Sequence, residues 1–333
     1  MSTIIIAEAG VNHGGDMAAA IALIHEAARA GADYVKFQTF KAENLVSHNA
    51  RRARYQEANC GGDESQLQML KRLELKPEAF ALLSEECRKA GIGFLSSPFD
   101  LESIELLDSL KMDYWKIPSG EITNLPYLEH IASKGGKVIL STGMSTMADV
   151  EAAVGILEAG GIDRKNITLL HCNTQYPTPA ADVNLRAMGA LSTLGCGGVG
   201  FSDHTIGIAV PIAAAALGAC MIEKHFTLDK NASGPDHKAS ADPAELRKMI
   251  EAVRTVNLAL GSAEKHVTDS ESQNVAVARK SIVAACPINK GEILTEENIT
   301  TKRPANGLSP MLWHKVIGTA ATRDFLPDEP ITL

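Results

Sequence analysis

Eight short apolar runs in this chain each end in residues capable of chemistry. The first ends in Glu8, the second in Lys36-Phe37-Gln38 and the third in Ser96-Ser97. The fourth ends in Lys116-Ile117-Pro118-Ser119-Gly120-Glu121 and the fifth in Ser141-Thr142-Gly143. The sixth runs into His171-Cys172-Asn173-Thr174-Gln175-Tyr176, the seventh into Ser202-Asp203-His204 and the eighth into Glu223-Lys224-His225. If the runs are strands, alternate residues share a face. Lys36 then lies with Gln38, Ser202 with His204, and Glu223 with His225.

A single lysine at such a place would read as a surface residue. Two lysines, Lys36 and Lys116, with hydroxyls at Ser97, Ser119, Ser141 and Ser202, suit the phosphate and carboxylate of one small anionic ligand. Burying two ammonium groups without an anion is costly. His204 and His225 end consecutive runs, and neighbouring strands lie about 4.8 Å apart, so both imidazoles can reach one ion. Two histidines without cysteine suit a catalytic divalent cation rather than structural zinc: Mn2+, with Mg2+ or Co2+ as alternatives. His13 and His171 would stand behind that site. The histidines at 25, 48, 130, 266 and 314 read as surface or packing residues.

The elements that position these residues follow a repeat. Strands are expected at 3–8, 33–38, 93–97, 114–119, 138–142, 168–173, 199–204 and 220–225. Helical patterns separate and follow them at 18–30, 77–90, 101–110, 124–133, 146–159, 186–194, 205–217 and 243–260. Eight β-then-α units within residues 1–260 give an α/β fold, a (β/α)8 TIM barrel with its active site at the C-terminal ends of the strands. A doubly wound sheet would need a Gly-rich phosphate turn after its first strand, and Gly10-Val11-Asn12-His13-Gly14-Gly15 has the wrong spacing. Residues 261–280 are polar and read as a linker with room for a helical arm. Residues 281–333 read as a small, mostly β domain, with strands at 281–285, 292–294, 299–302 and 316–320. So small a unit is expected to dock on something.

The 333 residues are 45% hydrophobic with a net charge of −8, which argues against a nucleic-acid binder but leaves room for a local basic pocket. Six scattered cysteines without a Cys-x-x-Cys pair, no secretory leader and no long apolar span point to a cytoplasmic protein with reduced thiols and no membrane contact. The apolar stretch 208–221 reads as a buried helix leading into a strand.

Taken in order, these motifs resemble the sialic acid synthase family, closest to its bacterial legionaminic acid branch. The resemblance is carried by Glu8-Ala-Gly-Val-Asn-His13-Gly-Gly, Lys36-Phe-Gln38-Thr, Ser97-Pro-Phe, Lys116-Ile-Pro-Ser119-Gly-Glu121 and Ser141-Thr-Gly-Met. It continues through Tyr176-Pro-Thr-Pro, Gly200-Phe-Ser-Asp-His204-Thr, Ile222-Glu-Lys-His225-Phe-Thr and Ser233-Gly-Pro-Asp236-His. Arg279-Lys-Ser, Lys290-Gly-Glu and Lys302-Arg303-Pro resemble the antifreeze-like (SAF, β-clip) domain that ends such chains.

The resemblance implies an enzyme that condenses phosphoenolpyruvate with an N-acetylated mannosamine-type sugar. The enol carbon attacks the open-chain aldehyde, water adds to the neighbouring carbon, and phosphate leaves with C–O cleavage. It implies that His204 and His225 hold the metal ion. Lys36, Ser97, Lys116, Ser119, Ser141, Ser202 and Thr174 would bind phosphoenolpyruvate, although Thr174 stands where some members carry Asn. Glu8, Gln38, Tyr176 and Asp236 would bind the sugar. Glu8 and Glu223 are the carboxylates to consider for proton handling. Arg303 would reach the N-acetyl group from the partner subunit of a domain-swapped homodimer. The Lys36-Phe-Gln-Thr-Phe and Ile117-Pro-Ser-Gly-Glu stretches favour 2,4-diacetamido-2,4,6-trideoxymannose as the sugar, the activity of an N,N'-diacetyllegionaminate synthase. N-acetylmannosamine, the substrate of an N-acetylneuraminate synthase, is the alternative. A metal-dependent aldolase and a non-catalytic sugar-binding barrel are the competing classes.

Overall fold

The computed structural model describes residues 2–61 and 63–333. They divide into two compact units, 1–261 and 262–333.

The first unit alternates strands and helices. Its strands are β1 (Ile4–Gly10), β2 (Tyr34–Thr39), β3 (Gly93–Pro98), β4 (Trp115–Ile117), β5 (Val138–Ser141), β6 (Ile167–Cys172), β7 (Gly198–Asp203) and β8 (Met221–His225). Between and after them run α1 (Met17–Ala30), α2 (Ala42–Leu45), α3 (Arg54–Cys60), α4 (Gln66–Leu73), α5 (Pro77–Ala90), α6 (Leu101–Asp108), α7 (Leu125–Lys134), α8 (Met147–Ala159), α9 (Ala187–Ser192), α10 (Ala209–Ala216) and α11 (Pro243–Leu260). The strands form one parallel sheet in the order β3-β2-β1-β8-β7-β6-β5-β4. Its two end strands, β3 and β4, lie against each other, so the sheet curls into the expected barrel. Among the described residues no ladder pairing joins β3 to β4. At this seam the Ser96 amide instead donates to the Met112 sulfur at 3.2 Å.

Strand alternation sorts the core. Ile6, Leu95, Ile139, Leu170 and Met221 point into the barrel and plug it below the site. Their neighbours Ile5, Ala7, Val35, Phe94, Leu140, Leu169 and Ile222 point outward and pack under the helices. Local signals fix the helix ends. Asp16 caps α1 by accepting from the Ala18 amide, and Gly31 ends it at φ 86°, a left-handed conformation that suits glycine. Asp242 and Glu245 form a capping box at the start of α11.

Several element bounds differ from the sequence reading. The fourth strand stops at Ile117, and Ser119–Glu121 forms a 3-10 turn. The helix expected from 205 begins only at Ala209. The segment between β2 and α5 carries three short helices, α2 to α4, that no repeat in the sequence announced.

The second unit contains α12 (Asp269–Ala278), β9 (Ser281–Ala284), β10 (Ile299–Lys302) and α13 (Trp313–Val316). β9 and β10 pair antiparallel over a small core that includes Ile282, Ile288, Leu294, Ile299, Val316, Phe325 and Ile331. The strand expected at 316–320 is not one: Val316 closes α13, and 318–321 contribute the bridge Ile293↔Ala320 with backbone hydrogen bonds to Leu294 and Glu292. The strand expected at 292–294 likewise amounts to this short pairing, in which the Leu294 amide donates to the Thr319 carbonyl at 2.9 Å. In so small a core one buried apolar residue, such as Val316 or Leu294, anchors each irregular segment without a full ladder. α12 occupies half of the stretch read as a linker, held at its start by a Thr268/Glu271 capping box.

Candidate active site

A cavity of about 450 Å3 opens at the C-terminal ends of the barrel strands. All fourteen barrel residues singled out in the sequence line it: Glu8, Lys36, Gln38, Ser97, Lys116, Ser119, Ser141, Thr174, Tyr176, Ser202, His204, Glu223, His225 and Asp236. The ladder register places Glu8 opposite both Lys36 and His225, and Ser202 opposite both Cys172 and Glu223. Arg303 belongs to the second unit, where it follows β10 and is exposed.

The floor is a chain of buried alternating charges. Lys36 Nζ lies 2.8 Å from Glu8 and 3.7 Å from Glu223, and Lys116 Nζ lies 3.5 Å from the same Glu223 oxygen. Each ammonium also donates to a hydroxyl: Lys36 to Ser97 at 3.1 Å and Lys116 to Ser141 at 2.7 Å. Ser202 donates to Glu223 at 2.9 Å and Gln38 to Glu8 at 3.2 Å. Where the sequence reading expected a ligand's phosphate and carboxylate, the anions beside the two lysines are Glu8 and Glu223 of the site itself. Burial alone would raise the Glu223 carboxyl, but Lys116 and Lys36 overcome it and hold it below the ordinary carboxylate range. Glu8 goes the other way: burial, with the Glu223 charge, outweighs Lys36 and raises it. Burial lowers Lys116, while the two carboxylates keep Lys36 above its ordinary value against the same effect. The two carboxyl groups are thus set up to carry different protonation states.

His204 and His225 stand above this floor with ring centroids 5.2 Å apart. His204 Nδ1 is bonded to the Asn173 carbonyl, which fixes that nitrogen as the donor and leaves Nε2 with its lone pair, 3.5 Å from Ser202 Oγ. His225 Nδ1 is buried without a hydrogen-bond partner among the described residues, and the Asp236 carboxylate lies 3.7 Å away. Burial pushes His204 down to about 4 and His225, further repelled by His204, well below its ordinary value. Neutral imidazoles with free lone pairs, one of them orphaned, fit a divalent cation. Among the described residues no third His, Cys, Asp or Glu joins them in a metal-binding cluster, so further ligands would have to be of other kinds. Burial raises Asp236 to about 7.

Tyr176 covers the pair, 4.0 Å from the His204 ring and 5.4 Å from His225, and stacks on Tyr55 at 5.1 Å. Tyr55 comes from α3, and Asn59 of the same helix donates to the Pro235 carbonyl beside Asp236 at 2.7 Å. The α2–α4 segment thus forms one wall. Leu45, Val46, Met69, Leu70 and Leu73, with Val11 and Phe99, make it mostly apolar, and Gln56 and Gln66 are its amides. Ser119 Oγ is held by Cys172 at 3.2 Å and by the Gly143 amide at 3.0 Å. A Cβ at Gly143 would meet Thr174, Ser119 and Cys172 at 2.7–3.1 Å, so this junction needs glycine.

The sequence reading missed Tyr55, Cys172, the structural part played by Asn173, and the whole apolar wall. Only the alternation of Cys172 with Leu170 along β6 could have signalled that the thiol faces inward. His13 and His171 do not line the cavity. His13 accepts from the Gly15 amide, and His171 bonds to the Val183 carbonyl against Phe201.

Residues 23–265 match the NeuB family and residues 279–333 match the SAF domain. The chain belongs to the NeuB family. This NeuB-family chain is 53% identical to the N,N'-diacetyllegionaminic acid synthase of Campylobacter jejuni, over 99% of this chain and 98% of the relative. It is 44% identical to the enzyme of the same name from Legionella pneumophila, over 96% and 90% of the two chains. Its structure is similar to that of the N-acetylneuraminic acid synthetase from Leptospira borgpetersenii, with a TM-score of 0.72, 34% identity and coverage of 83% and 90%. No helix among the described residues is long and apolar enough to cross a membrane.

Proposed function

We propose that this chain is a nonulosonic acid synthase. It would condense phosphoenolpyruvate with an N-acetylated mannosamine-type sugar and water and release phosphate. The observation that carries this reading is the floor of Lys36, Lys116 and their serines set directly beneath the His204–His225 pair in one cavity. An anion entering there can take over the lysine bonds now made to Glu8 and Glu223. Ser97, Ser119, Ser141, Ser202 and Thr174 offer neutral donors around it.

His204 and His225 would hold a divalent cation, Mn2+ for preference, whose chemistry is to polarise the sugar's aldehyde oxygen. The chain's own residues do the rest. Lys36 and Lys116 fix the enol phosphate so that its nucleophilic carbon faces the aldehyde. Glu223, held ionised, keeps both ammonium groups charged and oriented. Glu8, raised by burial, can hold and return a proton as water adds and phosphate departs. Tyr176, Gln38 and Asp236 flank the sugar, and Tyr176 and the α2–α4 wall exclude bulk water.

For the sugar we infer 2,4-diacetamido-2,4,6-trideoxymannose. The names of the two bacterial relatives support it, and so does the apolar wall: a 6-deoxy carbon loses nothing against Leu70 or Leu73, whereas a buried hydroxyl would go unpaired. Arg303 would act on the N-acetyl group from the partner subunit of a swapped homodimer, because the small SAF unit holds little core of its own.

The test is phosphate release by purified protein given phosphoenolpyruvate, Mn2+ and each sugar in turn. Release that depends on sugar, with higher kcat/KM for the trideoxy sugar, is expected. Absence of release with every sugar overturns the synthase reading and would favour an aldolase or a binding protein. Preference for N-acetylmannosamine overturns only the choice of sugar.

A further inference from the structure

On the far side of β7 and β8 lies an ion pair that the chemistry above does not use. Asp203 and Lys224 alternate with the cavity-facing Ser202, His204, Glu223 and His225, so they point outward under the helices. Lys224 Nζ is 2.7 Å from Asp203 Oδ2, and both side chains are 0% exposed. The same ammonium donates to the Thr205 carbonyl, and Asp203 Oδ1 accepts from the Thr205 amide at 3.0 Å.

We propose that Asp203 and Lys224 are positioning residues for the imidazoles of His204 and His225. Each is the chain neighbour of one imidazole-bearing residue. Their bonds converge on the turn that follows His204 and tie it to the strand that ends in His225. From the other direction the Asn173 carbonyl holds His204 Nδ1, and the Thr178 amide donates to the His204 carbonyl at 2.9 Å. The spacing of the two rings is therefore set from behind the sheet. A pair of apolar side chains would fill the same space without desolvating two charges, and buried ion pairs contribute little net stability over such replacements. What an apolar pair could not do is hold the Thr205 amide and carbonyl at once. Metal affinity is sensitive to groups that orient ligands, by roughly 10- to 100-fold.

The proposal rests on the metal reading of the His pair, and the experiment separates the two. Mn2+ alone is titrated calorimetrically into the full-length, metal-stripped wild type, into D203L/K224M and into D203N. The double variant removes both charges together, so no charge is left unpaired, and it frees the Thr205 amide and carbonyl. It should keep the wild-type circular dichroism, while its Mn2+ Kd rises roughly 10- to 100-fold and its lost kcat/KM returns in part at high Mn2+. D203N, which nearly preserves shape, should weaken Mn2+ several-fold, and it decides the matter if the double variant does not fold. Folded variants with Mn2+ affinity within twofold of wild type overturn the positioning role and leave the metal site standing. A wild type that binds no Mn2+ overturns both.

Discussion

Lys36 lies 2.8 Å from Glu8, and each side chain is no more than 4% exposed. Truncating the lysine would leave a buried carboxylate uncompensated. K36M is expected to lower folding stability by about 3 kcal/mol and kcat/KM for phosphoenolpyruvate by roughly a hundredfold. The paired variant E8Q/K36M should recover much of the stability and none of the activity. Urea unfolding and steady-state phosphate release read the two effects separately.

The histidine pair makes a second expectation. H204A or H225A should abolish turnover and weaken Mn2+ binding while the circular dichroism spectrum stays native. Chelation of the wild type should abolish turnover too, and added Mn2+ should restore it. Full activity in excess chelator would show that the pair has no metal role.

Asp236 gives a pH dependence with a defined sign. Its carboxyl is raised from 3.8 to about 7 in the fold, so between those values the folded state binds the extra proton. Stability from this group is complete below about pH 4 and is lost as pH rises through 7. Relative to metal-free D236N, the metal-free wild type should therefore lose about 1.4 kcal/mol per pH unit between pH 5 and 7, then level off. Denaturation midpoints measured for both proteins across pH 5–8 test this, and parallel curves would contradict it.

The apolar wall should carry sugar preference. L70Q places an amide beside Met69 and Leu73, in the apolar stretch of the wall. It is expected to lower kcat/KM for the trideoxy sugar by roughly tenfold while changing that for N-acetylmannosamine less. A uniform loss with both sugars would mean that Leu70 only holds the α2–α4 segment together.

Arg303 can be tested by mixing inactive subunits. R303A keeps a sound barrel, and H225A keeps a sound SAF unit. In a swapped dimer one of the two mixed sites combines sound halves. Random exchange makes about half of the dimers mixed, so roughly a quarter of wild-type activity should return. If Arg303 serves its own chain, exchange restores nothing.

The strand ends were legible because two local rules coincide there. An apolar run marks a barrel strand, and alternation then decides which of Ser202, Asp203 and His204 faces inward. Those rules ran out where contacts are long-range. Tyr55 stacks on Tyr176 across 121 positions of sequence (176 minus 55), and nothing near Tyr55 in the chain predicts it. The α2–α4 segment failed for another reason: its helices are four, seven and eight residues long, too short to show a clear period. In the SAF unit the ladder is fragmentary, and the stretch 316–320 is held by packing of Val316 and a short pairing with 293–294 that is too brief to make a strand.

Among the described residues no ladder pairing ties β3 to β4. Lys36 and Ser97 stand on one side of that seam, Lys116 and Ser141 on the other. An anion gripped by both lysines would fasten the two edges to each other. The ligand then serves as a strut as well as a reactant, so that filling the site and stiffening the wall become a single event.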